Sequence, residues 1–175
     1  TFVIPKDINL DVDAARISFI AFNQDKTESV GGYSNQFDIG GINMAAVSDT
    51  QGPTIDVFLE NRSFVDGGKV YNSPILIVDF EDENGINSSG GLGHDITATL
   101  DNNQASPYVL NAFYSTVLDD FTKGTLSYPL NNLELGFHTL TLRAWDTHNN
   151  PSSKTISFTV VDSSVIQIEN VFNSP

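Results

Sequence analysis

The sequence contains no cysteine and few basic residues. The absence of cysteine excludes a disulfide framework, a Cys-based zinc or iron–sulfur site and a cysteine nucleophile. Eight Lys and Arg residues stand against 22 Asp and Glu residues, which gives a formal net charge of −14. Because this charge repels phosphates and anionic lipid headgroups, we expect no nucleic-acid partner. No apolar run approaches the roughly 18 residues of a membrane helix, so we also expect no direct membrane insertion.

Short apolar runs separated by turn-forming residues make up most of the sequence. Hydrophobic residues account for 39% of the chain, which is enough apolar surface to form a folded core. From Pro53 onward, apolar and polar residues alternate with a period of two, and turn-forming residues recur at the spacing of an all-β protein. The pattern predicts seven strands, near residues 54–60, 73–80, 94–100, 107–110, 125–130, 137–145 and 154–161.

Seven short strands over this length indicate an all-β fold, an immunoglobulin-like antiparallel β-sandwich over residues 49–163. Residues 74–80 (PILIVDF) are apolar on both faces, so we expect them to form a central strand. Residues 110–123 could form one helical turn or a long connection between the two sheets. We interpret them as that crossover.

The first 48 residues are predicted to form a separate, small β segment. Strands are expected over Arg16–Phe22, Phe2–Ile4 and Phe37–Ile39. Because two or three strands cannot bury both of their faces, this segment should complete a sheet begun upstream or pack against the sandwich. The turn-forming residues 48–53 (SDTQGP) mark the boundary. Residues 164–175 are expected to link the sandwich to a further C-terminal domain.

Acidic and amide side chains are concentrated where an immunoglobulin-like fold brings three segments together. The start of the first strand, the B–C loop and the F–G loop lie at one end of such a sandwich. Carboxylate and amide oxygens are the ligands that calcium prefers. The candidate calcium ligands are Asp79, Asp82, Asn84 and Asp146. We favour the alternative that Asp and Asn bond to their own backbone in turns, because no EF-hand spacing is present.

No catalytic constellation stands out. His138 lies on a predicted strand, away from His94 and His148, so a three-histidine zinc site would need an awkward geometry. The chain has no GxSxG motif, and the acidic residues 81–83 share a single loop. We therefore predict that this segment is not an enzyme. Trp145, the only Trp, is expected to cover the outer surface of a sheet or to dock onto a neighbouring domain.

Several short segments, weak motifs individually, resemble one protein family in their order and spacing. The family is the PorU-type sortases of the type IX secretion system, and the likeness is to the region that follows their gingipain-type cysteine peptidase domain. The segments include residues 2–8 (FVIPKDI), 16–19 (RISF), 49–53 (DTQGP), 82–87 (DENGIN), 93–96 (GHDI), 138–146 (HTLTLRAWD) and 168–175 (IENVFNSP).

The resemblance implies a division of labour. In such sortases an upstream caspase-like domain with a Cys–His dyad removes the sorting signal from cargo proteins and attaches the cargo to a lipopolysaccharide anchor. No catalytic residue can be carried over to a chain without cysteine. The resemblance therefore implies a non-catalytic support at the extracellular face of the outer membrane of a Gram-negative bacterium. Its partners would be the adjacent domains of the same chain and outer-membrane secretion components.

Two other classes of protein stay open. The first is a calcium-stabilised immunoglobulin-like repeat of a bacterial adhesin or another surface protein, whose melting temperature would be sensitive to chelators. The second is a carbohydrate-binding sandwich, which normally presents several coplanar aromatic side chains. The aromatic residues of this sequence are dispersed and form no evident platform.

Overall fold

The computed structural model describes residues 15–38, 48–91 and 93–162. The strand predicted at Phe2–Ile4 and the linker predicted over 164–175 lie outside these ranges. Within them, no helix is long and apolar enough to span a membrane. The strands are β1 (Ile17–Phe22), β2 (Ser29–Ser34), β3 (Thr54–Leu59), β4 (Lys69–Val70), β5 (Ile75–Glu81), β6 (Thr97–Leu100), β7 (Tyr108–Val109), β8 (Tyr114–Val117), β9 (Asp120–Pro129), β10 (Gly136–Trp145) and β11 (Pro151–Val160).

The described residues up to Ser48 and those from Asp49 onward belong to two compact units. The first unit contains an antiparallel hairpin of β1, which was predicted, and β2, which was not. Phe37 and Asp38 are not in a strand, and Ile39 lies outside the described residues. Large apolar side chains of the hairpin are exposed, because two strands offer too little surface to bury both faces.

The second unit is a sandwich of two sheets. One sheet has the order β3-β5-β9-β8, and the other has the order β4-β11-β10-β6-β7. These orders match the A-B-E-D and G-F-C arrangement of an immunoglobulin-like fold, which confirms the predicted fold class. The run at residues 74–80 is a central strand, as predicted, because β5 pairs with β3 on one side and β9 on the other.

The core consists of the side chains that point inward from both sheets. Alternate residues of the strands are buried, as the period-two pattern predicts. Phe158 is the largest of the fully buried side chains. Other members with at most 2% exposure are Leu59, Leu76, Val78, Ile96, Ala98, Leu110, Leu126, Leu130, Leu140, Leu142, Ala144 and Val160. The rigid core fixes the positions of the loops at both ends.

Residues 107–123 differ in part from the prediction. The strand predicted at 107–110 is the short β7 at the edge of the five-stranded sheet, and a 3₁₀ turn at Asn111–Phe113 crosses to the other sheet. The crossover is therefore short, and the next residues form β8, which the alternation did not predict. Gly124 makes this pairing sterically feasible, because a Cβ at that position would overlap the Tyr114 ring.

Candidate functional site

Three segments of the sandwich meet at one end and form a polar cluster. They are the residues before β3, the β5–β6 loop and the β10–β11 loop. An isolated antiparallel bridge between Ile86 and Asp146 joins the two loops. We call this group the acidic pole. Its members are Asp49, Asp82, Asn84, Asp146, His148 and Asn150.

Asp146 is the central acceptor of the acidic pole and is fully buried. Its Oδ1 accepts hydrogen bonds from the backbone N–H groups of His148 at 2.8 Å and Asn150 at 2.7 Å. Its Oδ2 accepts a third from the side-chain amide of Asn150 at 2.8 Å. Charge-assisted hydrogen bonds of this kind hold a turn closed. The carboxylate therefore organises the β10–β11 loop.

Asp49 joins the start of the sandwich to the other two loops. Its Oδ2 accepts a hydrogen bond from the Asn84 side-chain amide at 2.8 Å, and the same oxygen lies 3.7 Å from Nδ1 of His148. The side-chain amide of Asn150 donates to the Asp49 carbonyl at 3.2 Å. A hydrogen bond from the backbone N–H of Gln51 contributes most to lowering the pKa of Asp49 below its ordinary value. Asp49 therefore attaches the residues before β3 to the β5–β6 and β10–β11 loops.

Asp82 is the carboxylate of the acidic pole whose charged form is destabilised by its surroundings. Burial raises its pKa above the ordinary value, and the nearby carboxylates of Asp146 and Asp49 raise it further. Its Oδ1 accepts a hydrogen bond from the backbone N–H of Asn84 at 2.8 Å, which opposes that rise only in part. A cation or a proton at this position would relieve the repulsion between the three carboxylates.

The structure does not bring Asp79 to this group. Asp79 lies on the outer face of the four-stranded sheet, where Nε and Nη2 of Arg62 donate to its two carboxylate oxygens, each at 2.7 Å. The Arg62 hydrogen bond is the main cause of the lowered pKa of Asp79. Its position at the end of a strand favoured Asp79 in the sequence, but its side chain faces away from the loops because Phe80 is the inward residue.

The structure brings Asp82, Asn84 and Asp146 together at the end of the sandwich where the sequence also places Asp49 and His148, two residues outside the predicted ligand set. Ligand atoms of Asp49, Asp146 and His148 lie within 4.8 Å of one another, which is the spacing of a metal site. The Asp146 oxygens nevertheless all accept amide hydrogen bonds, as turn chemistry requires. The place of Asp49 just before β3 predicts its position at this end of the sandwich, although the predicted ligand set did not include it.

Trp145 covers the outer face of the five-stranded sheet, one of the two expectations for it. The guanidinium carbon of Arg143 lies 4.5 Å from the indole centroid, and the His94 ring meets it edge to face at 4.5 Å. The indole Nε1 is buried and has no hydrogen-bond acceptor in the protein. Trp145 and Arg143 share this face with Thr141 because alternate residues of β10 point the same way.

His138 lies on β10, apart from the acidic pole. Its Nδ1 lies 2.7 Å from Oδ2 of Asp101, and its Nε2 lies 2.8 Å from the carbonyl of Glu134. Burial by itself would lower the pKa of His138, but the Asp101 carboxylate and the Glu134 carbonyl together outweigh burial and raise it. Both ring nitrogens face acceptors, so the imidazolium form suits this position and the residue stabilises the fold.

Comparison with known proteins relates the chain to a solved structure. No protein-family model matches the chain. No curated protein matches it either. Among solved structures, dimeric latent PorU from Porphyromonas gingivalis aligns with a TM-score of 0.66 and 33% sequence identity over 94% of this chain. The aligned part covers only 15% of the PorU chain. Over almost its whole length, this chain is therefore similar to one region of PorU.

Proposed function

We propose that this chain is a non-catalytic, immunoglobulin-like module of a PorU-like sortase of the type IX secretion system. The observation that carries the proposal is the similarity to PorU in both sequence and structure over 94% of the chain. In the proposed role, the module positions the catalytic peptidase domain and presents surfaces to neighbouring domains. The parent protein would act on the extracellular face of the outer membrane of a Gram-negative bacterium.

The side chains of this segment are consistent with a non-catalytic role. The sequence contains no cysteine, so a cysteine peptidase activity has to reside elsewhere in the parent protein. The buried carboxylate of Asp146 accepts three amide hydrogen bonds, which is a structural use of an acidic residue. A groove on the outer face of the five-stranded sheet is lined by hydroxyl, amide and charged side chains, and no His, Cys or Lys is among its lining residues.

The architecture of the sandwich supports a positioning role. Two sheets share one core whose largest side chains are fully buried, so the module resists bending. The acidic pole joins the start of β3 to the β5–β6 and β10–β11 loops through side-chain hydrogen bonds. These bonds fix the direction in which the chain enters the sandwich. In the proposed role, a sandwich built in this way is a rigid support for the other domains of the parent protein.

The test is to delete residues 50–162 from the full-length parent protein and to measure two activities. We expect cleavage of a short soluble peptide by the peptidase domain to persist, while removal of the sorting signal from cargo at the cell surface is lost. A full-length protein with the exposed Glu83 changed to Gln serves as the control. Unchanged cargo processing after the deletion would refute the positioning role. Loss of both activities would show that the segment is needed for folding of the peptidase, which also contradicts the proposal.

A calcium-stabilised surface repeat is the second candidate. It is favoured by the proximity of the Asp49 and Asp146 carboxylates to each other and by their charges, which help to raise the pKa of Asp82. If calcium binds there, millimolar calcium raises the melting temperature of the chain relative to EDTA, and Asp82→Asn abolishes that rise. An unchanged melting temperature with calcium removes this candidate.

A further inference from the structure

The outer face of the five-stranded sheet carries a groove of about 500 Å³, which we call the outer groove. Its floor is formed by three neighbouring strands. Thr99 of β6 pairs with Thr141 of β10, and in the next row Arg143 stands between Thr97 of β6 and Ser153 of β11. The volume lies in the range of about 300–1,000 Å³ that is typical of small-molecule sites.

Two loops add polar groups to this floor. Asp95 comes from the β5–β6 loop, and Gln104 and Pro107 come from the β6–β7 loop. Thr99 points away from the core, since its neighbour Ala98 is a core residue, yet only 6% of Thr99 is exposed. Other residues of the chain therefore cover this part of the outer face, which gives the groove its depth.

The Thr99 hydroxyl is a buried polar group without a protein partner. Among the residues that the structure describes, none forms a hydrogen bond with this hydroxyl, although Thr99 is more than nine-tenths buried. Buried polar groups are normally satisfied by protein atoms, ordered water or a ligand. Because Thr99 lines the outer groove, a group that satisfies its hydroxyl has to enter from there.

A carboxylate and a guanidinium are held in the same groove. Oδ1 of Asp95 accepts a hydrogen bond from the Gly91 N–H at 3.4 Å, and a side chain at position 90 would overlap this oxygen, so Gly90 leaves the space that the carboxylate occupies. The guanidinium of Arg143 rests on the Trp145 ring, 4.5 Å from its centroid. Within the described part of the chain, neither Asp95 nor Arg143 belongs to an ion pair. Both charged groups can therefore bind a ligand.

The lining favours a neutral ligand that is rich in hydroxyl groups. The charges of Asp95 and Arg143 cancel, so an anion meets the carboxylate and a cation meets the guanidinium. The remaining polar side chains are hydroxyls and an amide, which both donate and accept hydrogen bonds. A sugar ring offers several hydroxyl groups that donate to a carboxylate and accept from a guanidinium. No aromatic side chain lines the groove, so a sugar would be held by hydrogen bonds and not by stacking.

We propose that the outer groove binds a neutral sugar unit of a glycan. Asp95 accepts hydrogen bonds from the sugar hydroxyl groups, and Arg143 and Thr99 hydrogen-bond to its oxygens. The inference goes beyond the proposed function and rests on the lining of the groove, not on the relation to PorU. A sugar titration without effect would leave the positioning role standing, and unchanged cargo processing would leave this inference standing.

The test titrates the whole chain, labelled with ¹⁵N, with the methyl glycosides of glucose, galactose, mannose and N-acetylglucosamine. We expect at least one glycoside to shift the amide signals of Thr97, Thr99 and Arg143, with a dissociation constant on the order of 1 mM. Asp95→Asn and Arg143→Gln should each weaken this binding by about tenfold or more, because hydrogen bonds to charged groups are the stronger ones.

Thr99→Val separates binding from stability. Valine keeps the shape of the side chain, and the lost hydroxyl has no partner in the free protein. The variant should therefore unfold at the same urea concentration or a higher one, while binding weakens by about threefold or more. Thr159→Val is the matched control, because Thr159 points outward from β11 but does not line the groove, and binding should stay unchanged.

Three results would overturn the proposal. The first is the absence of amide shifts with all four glycosides up to their solubility limits. The second is binding that Asp95→Asn and Arg143→Gln leave unchanged. The third is a blocked diglycine peptide that shifts the same amides when no glycoside does, since the groove would then take a polypeptide. Lower stability of Thr99→Val with undiminished binding would refute the role of the Thr99 hydroxyl.

Discussion

Removal of the Asp146 carboxylate should destabilise the sandwich more than any other change in the acidic pole. Asp146→Ala leaves the backbone N–H groups of His148 and Asn150 and the Asn150 side chain without their acceptor. A hydrogen bond to a charged group contributes about 1.5–3 kcal/mol, and losses that share one acceptor are not additive. Because the loop can open to water, we expect the free energy of unfolding to fall by about 3–5 kcal/mol.

Asp146→Asn separates the charge from the shape of this side chain. The amide oxygen can still accept from the two backbone N–H groups, but the new amide nitrogen meets the Nδ2 donor of Asn150. If the Asn150 amide flips to relieve this contact, it loses its 3.2 Å hydrogen bond to the Asp49 carbonyl. We therefore expect a smaller loss, about 1–2 kcal/mol.

Urea denaturation followed by Trp145 fluorescence measures both losses, since this indole adjoins Asp146 in sequence. The exposed Glu83→Gln in the same group of loops is the control and should change the free energy of unfolding by less than about 0.5 kcal/mol. The reasoning is refuted if Asp146→Ala costs less than about 1 kcal/mol. It is also refuted if the Ala and Asn variants lose the same amount, because the amide hydrogen bonds would then contribute nothing.

Three further changes test other parts of the sandwich. Because the pKa of His138 is raised in the fold, its stabilising contribution should be fully present below pH about 6.5 and be lost as the pH rises through the raised pKa. In urea titrations at several pH values, Asp101→Asn should flatten this pH dependence of the free energy of unfolding. Asp82→Asn removes a buried charge whose pKa is raised, so in EDTA at neutral pH it should increase the free energy of unfolding by up to about 1 kcal/mol, and a decrease would contradict the repulsion. Phe158→Ala empties the centre of the core and should cost about 3–5 kcal/mol by urea denaturation, whereas a cost below about 1 kcal/mol would show that the site collapses around the cavity.

Local alternation was sufficient to predict most of the sandwich. Leu140, Leu142 and Ala144 are buried in the core, and the residues between them face outward. This success has a simple cause, since a strand with one buried face must alternate with a period of two. The short strand β8 escaped prediction because three of its four residues are exposed and carry no such pattern. Its pairing depends on Gly124 of the neighbouring strand β9, where the missing side chain leaves room for the Tyr114 ring.

The order of the loops predicted which residues of the candidate site lie at the same end of the sandwich, but not which way their side chains point. The sequence placed Asp82 and Asp146 at the same end of the sandwich, but it could not distinguish an outward carboxylate from an inward one at the end of a strand. Asp79 therefore entered the predicted ligand set, although Arg62 from a separate loop pairs with it. Asp49 was placed at this end of the sandwich but left out of that set, because its hydrogen bond to Asn84, 35 positions away, becomes visible only in the structure.

The sequence by itself determined the all-β class and the side of each strand that faces the core, because both follow from the spacing of neighbouring side chains. The absence of cysteine also follows from the sequence and determines that this chain cannot supply a catalytic thiol. Only the tertiary structure decided which side chains meet, such as Arg62 with Asp79 and Arg143 with Trp145. Such pairings depend on the relative placement of segments far apart in the chain, and hydrogen bonds form only when atoms come within about 3 Å of each other.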